Sequence, residues 1–150
     1  MSPTPAPWGD FVRGQLFERR TIFDNGDIDD AEAGRVTAEL MTLDASGDEP
    51  VELYVDAEAH QLGPAFAIMD TIDLLGVPVH ATCIGRADGV AIGLVAVASR
   101  RGIAPHARVR LAEPHLSFAG RSSEVETWLR HHHEALAAFH RRLAGSSGRP

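Results

Sequence analysis

Three consecutive segments with two different apolar periods sit in the middle of this chain, and they decide its fold class. Val51-Glu52-Leu53-Tyr54-Val55 alternates apolar and polar residues, the period of a strand with one buried face. Ala65-Phe66-Ala67-Ile68-Met69, with Ile72, Leu74 and Leu75, is apolar at helical spacing, and Gly76-Val77-Pro78 breaks it. Val79-His80-Ala81-Thr82-Cys83-Ile84 returns to the period of two. A strand, a helix and a strand joined by short breaks make a crossover unit whose strands lie parallel.

The flanking segments extend the pattern. Arg20-Thr21-Ile22-Phe23 reads as a short strand closed by the turn residues Asp24-Asn25-Gly26-Asp27. Asp29 or Asp30 then caps a helix carrying Ala33, Val36, Ala38, Leu40, Met41 and Leu43, which Ser46-Gly47-Asp48 ends. After Gly85–Gly89, the nine-residue run Val90–Ala98 reads as a buried helix, too short to cross a bilayer. Val109–Leu111 and Leu116–Phe118 read as short strands, and a last helix runs from Ser122 to about Leu143. Residues 1–14 and 145–150, rich in Pro or in Gly and Ser, are expected to be flexible tails around a domain of residues 15–144. The order implies a parallel α/β core.

Charge and cysteine content narrow the function. Fourteen Arg, no Lys and 21 acidic residues give a net charge of −7, so no basic stripe is available for nucleic acid. Cys83 is the only cysteine, which excludes an intramolecular disulfide and suits a reducing compartment. With no signal-like or membrane-spanning run, a cytoplasmic protein with no membrane partner is expected.

The segment Cys83-Ile84-Gly85-Arg86-Ala87-Asp88-Gly89-Val90-Ala91 resembles the nucleophile segment of the ClpP family, the proteolytic subunits of the caseinolytic protease. Further stretches resemble the same family in the same order: Leu16–Phe23, Ile28-Asp29-Asp30, Leu53-Tyr54-Val55-Asp56, Ala67–Thr71 and Ala104–Arg108. The resemblance covers about residues 15–144. It implies a ClpP/crotonase-like α/β spiral with a protruding C-terminal handle helix.

The family's chemistry needs a Ser on a strand-to-helix turn, a His base, an orienting Asp and backbone amides for the oxyanion. In the pattern Gly-x-Ala-x-Ser-x-Gly, Gly85 and Ala87 match, but the nucleophile position is Gly89. The base position, before Glu113-Pro114, is Ala112. The family acid lies beyond the long helix, where this sequence offers no position for it. The oxyanion turn, usually rich in Ser, Pro and Gly, is replaced by Asp56-Ala57-Glu58-Ala59-His60, so Ala59 and His60 mark an altered turn. None of the catalytic residues is retained, and the expected function is that of an inactive structural or regulatory subunit of a Clp protease ring.

Two other functions compete. One is an active serine peptidase with a relocated nucleophile, for which Ser99, Ser117, Ser122, Ser123 and Cys83 are available and His60 with Asp88 could form an acid/base pair. Capping and core roles account for those serines and for Cys83. The other is a crotonase-like binder of an acyl thioester carbonyl, using the turn at 57–63 and the helix near Gly89.

No metal or other cofactor is expected, because His131-His132-His133 lacks the i, i+4 spacing of a helical ligand pair and His133 with His140 has no third ligand. Trp128, Leu129, Leu136 and Phe139 form an apolar stripe on the last helix. On a protruding handle such a stripe implies a partner, so a homo- or hetero-oligomer with catalytic ClpP subunits is expected. The family's outer pocket for unfoldase loops maps to Glu52, Tyr54 and Leu74. A glutamate there carries a desolvation cost, so unfoldase docking is disfavoured.

Overall fold

The structure is a computed structural model that describes residues 7–146. It begins with helix α1, Pro7–Glu18, in the stretch expected to be a tail through residue 14. Pro7 suits the first helical position, Asp10 complements the helix dipole in the first turn, and Phe17 packs against the core. Strand β1, Thr21–Asp27, follows, then α2, Asp30–Ser46, and β2, Val51–Ala59. Next come α3, Leu62–Leu74, β3, Val79–Gly89, and the single-turn α4, Ile92–Ala96. Two short strands, β4 at Arg100–Ile103 and β5 at Arg108–Arg110, lead to the long α5, Ser122–Ser146. The last helix therefore includes residues 145 and 146; residues 1–6 and 147–150 of the two expected tails lie outside the described residues.

All paired strands are parallel, in the order β1-β2-β3-β4, with β5 alongside the C-terminal part of β3. The fold is thus the expected mixed α/β arrangement with a parallel sheet and a C-terminal helix. Period-two patterning places Val51, Leu53, Val55, Ala57 and Ala59 of β2 on one fully buried face. They pack in one core with Val36 and Leu40 of α2 and Ala65 and Ile68 of α3, each 0% exposed. Burying each such Leu or Ile contributes about 1.5–3 kcal/mol. Asp29 caps α2 as expected, its carboxylate accepting from Glu32 N at 2.8 Å.

Four expectations change. β1 continues through Asp24–Asp27, residues expected to turn, because every position from Thr21 to Asp27 finds a β2 partner. The apolar run 90–98 makes only the short α4, since Ser99 N already bonds Val79 O at 3.0 Å at the start of the next strand. That strand, β4, is an exposed edge with two arginines and carries no alternating apolar signal. Finally, Leu116–Phe118 is not a strand: the segment is held by one backbone bond, His115 N to His60 O at 2.7 Å, and by Phe118 stacked on Trp128. None of the described helices is long and apolar enough to cross a membrane.

Candidate functional site

Gly89 closes β3 at the strand-to-helix turn with φ +67°, the left-handed backbone that a nucleophile elbow uses. The adjoining end of β2 decides what this turn can hold. β2 does not turn away at 56–60 but stays paired to β3 through Ala57↔Ala87, Glu58↔Asp88 and Ala59↔Gly89. A Cβ at position 89 would fall on the carbonyl oxygen of Ala59. The same oxygen accepts the amide of Val90 at 3.0 Å, so the donor that follows the nucleophile position is already used.

Ala112 sits on the exposed loop after β5 and shares with Gly89 a hollow of about 250 Å³, closed on the other side by Leu136, Phe139 and His140. The structure therefore brings to one place the two positions that the resemblance assigns to nucleophile and base. The residues lining that hollow include Glu113 and His140 but no Ser, Thr, Tyr or Cys.

The candidate replacements are scattered. Ser99 Oγ donates to Val79 O at 3.0 Å, and Ser122 and Ser123 are exposed in the first turn of α5. Ser117 lines an open hollow beside His115, His131 and His132. Cys83 is buried in β3, and burial, followed by the nearby Asp56 and Asp88, raises its thiol pKa away from the reactive thiolate. Among the described residues, none of these groups hydrogen-bonds a histidine. The conceivable His60–Asp88 pair is not made either: His60 Nε2 lies 3.7 Å from Glu58, while Asp88 lies 3.8 Å from Arg86.

The stripe on α5 divides. Phe139 is only 2% exposed and wedges beside Met69 over Gly93, where a Cβ would lie 2.8 Å from its ring. Leu136 is partly buried against the same core. These two anchor the helix to its own domain, and Gly93 leaves the space that Phe139 fills. Trp128 and Leu129, about two to three turns earlier, stay 58% and 41% exposed. At the outer-pocket positions, Leu74 is 84% exposed, Tyr54 is half-buried, and Glu52 is hydrogen-bonded to His80 Nδ1 at 3.0 Å.

Two features escaped sequence reasoning. Asp24 is fully buried in β1 with neither carboxylate oxygen hydrogen-bonded, and burial, with help from Glu32, raises its pKa from 3.8 to about 7. Asp27, Glu58 and His60 bring one ligand atom each within 4.8 Å of one another, away from the histidine run of α5. The alternation of acids along β2, Glu52, Asp56 and Glu58, was the available signal for the second.

A family model described as Clp protease matches residues 8–150. The chain is also 33% identical over 108 residues to ATP-dependent Clp protease proteolytic subunit 1 of Nocardia farcinica (strain IFM 10152), a match covering 69% of this chain and 54% of that protein. The chain spans about half the length of this curated relative. A match over nearly the whole sequence, on a parallel α/β fold, shows that the chain belongs to the Clp protease family.

Proposed function

We propose that this chain is a catalytically inactive ClpP-like subunit with a structural or regulatory role in a Clp protease ring. The observation that carries the reading is the Ala59 carbonyl, which takes both the space of a side chain at position 89 and the amide of Val90. A position that had lost only its serine would leave that space open and the amide free. Here the end of β2 fills them, so peptide hydrolysis by the family's route has neither nucleophile nor oxyanion donor. The same hydrogen bond counts against an acyl thioester binder, which needs that amide for its own carbonyl.

The faces left for partners support assembly. Trp128 and Leu129 on the outer half of α5 and Leu74 at the end of α3 are large apolar side chains facing solvent. The Glu52–His80 pair beside Tyr54 puts polar groups where an unfoldase loop needs an apolar pocket, so this subunit contributes to a ring without recruiting the unfoldase. Each copy incorporated removes one cleavage site. The cytoplasm, where Clp rings work on unfolded chains, is the compartment this role requires.

Native mass spectrometry after co-expression with a catalytic ClpP tests the proposal. A mixed ring containing this chain, with peptide turnover falling in proportion to its copies, is expected. A monomer or dimer that ignores the catalytic subunit would overturn it.

A further inference from the structure

The parallel register of β1 and β2 sets Asp27 opposite Glu58, and His60 follows two residues on, just past the end of β2. Three chemically different positions therefore converge: the end of β1, the penultimate residue of β2, and the first residue after it. Their ligand atoms lie within 4.8 Å of one another. Two carboxylates placed directly across a strand pair repel, a cost that a cation between them removes. Arg86 meets part of it, 3.7 Å from Glu58, but shares its charge with Asp88 at 3.8 Å.

Next to His60, but outside this group of three, stands His115. The His115 ring lies 5.1 Å from the His60 ring, centroid to centroid. The scaffold is also fixed before any ion arrives: Ile28 N bonds Glu58 O at 2.9 Å next to Asp27, and His115 N bonds His60 O at 2.7 Å. The location, at the C-terminal ends of parallel strands, is where open α/β sheets bind ligands.

We propose that Asp27, Glu58 and His60 form a binding site for a divalent transition metal, best matched by Zn²⁺. Mixed nitrogen and oxygen donors suit zinc over calcium or magnesium, which take oxygen ligands in larger number. The ion displaces Arg86 from Glu58, leaving it on Asp88, and ties the ends of β1 and β2 together. The site stands independently of whether the chain joins a ring.

Isothermal titration of Zn²⁺ into untagged, EDTA-stripped full-length protein tests this, with circular dichroism confirming that each variant folds. One zinc per chain is expected, weakened at least about tenfold by His60→Ala and by Asp27→Asn and kept by the combined His131→Ala, His132→Ala, His133→Ala variant. Arg86→Gln, which removes the competing cation, is expected to bind at least as tightly as the parent. Binding weaker than about 100 µM, binding that His60→Ala leaves intact, or loss of binding with the α5 histidines would each overturn the proposal.

Discussion

The carbonyl oxygen of Ala59 stands where the β-carbon of any side chain at Gly89 would have to be. This single relationship joins the end of β2 to the turn that closes β3. It also explains why glycine occupies the turn: φ there is +67°, and a Cβ would be both strained and obstructed.

Restoring the family residues is therefore expected to harm the protein and yield no enzyme. Gly89→Ser forces β2 from β3 and destabilises by at least about 2 kcal/mol, which lowers Tm by roughly 5 °C or more in a domain of this size. The double change Gly89→Ser with Ala112→His gains no peptide turnover. Thermal unfolding and a fluorogenic peptide assay check both, and a Ser variant as stable as the parent would contradict the account of the turn.

Asp24 gives the stability a definite pH dependence. Its pKa rises from 3.8 in the ordinary carboxyl to about 7 in the fold, so the native state holds its proton more tightly than the unfolded chain does. Stability from this group is complete below pH 3.8 and is lost as pH rises toward 7, after which the loss is constant. The ceiling is on the order of 4 kcal/mol. Asp24→Asn is expected to stabilise the protein most at pH 8 and progressively less toward pH 4. Urea titrations across that range would show an unchanged difference if the carboxyl ionised freely.

Phe139 and Trp128 on the same helix should behave oppositely. Phe139→Ala empties the space over Gly93 beside Met69 and costs about 3–5 kcal/mol in denaturant unfolding. Trp128→Ala removes an exposed ring and leaves monomer stability within about 1 kcal/mol, but weakens association in sedimentation velocity. Association unaffected by Trp128→Ala and Leu129→Ala together would remove α5 from the partner-binding surface.

Asp44 fastens the connection that leads into β3. Its carboxylate accepts Gly76 N at 3.0 Å and Val77 N at 3.1 Å, the two amides freed where α3 ends. Asp44→Ala is expected to cost about 1–2 kcal/mol, and Asp44→Asn, which keeps one acceptor, about half as much. Equal losses in chemical denaturation would mean that charge and not hydrogen bonding matters here.

Much of this architecture is legible in the sequence, because burial on one face writes itself as a period. Val51 to Val55 and Val79 to Cys83 show it, and Asp29 announces the start of α2. β4 is not legible, since an exposed edge strand of Arg100, Arg101 and Gly102 buries no face. Phe139 and Trp128 share an apolar stripe in the sequence, and only the space at Gly93 separates core from surface. Gly89 and Ala112 were found by resemblance, but the obstruction between them depends on how far β2 stays paired. Likewise Asp27 and Glu58 are 31 residues apart, and their juxtaposition is a matter of strand register, which no local pattern encodes.

The most direct measurement is intact-mass analysis of the purified protein after treatment with a fluorophosphonate, with a catalytic ClpP labelled in parallel. The closed site predicts that the ClpP gains the adduct while this chain keeps its unmodified mass and turns over no peptide. A single adduct on one serine here, whose replacement by alanine abolishes measurable peptide turnover, would contradict the account.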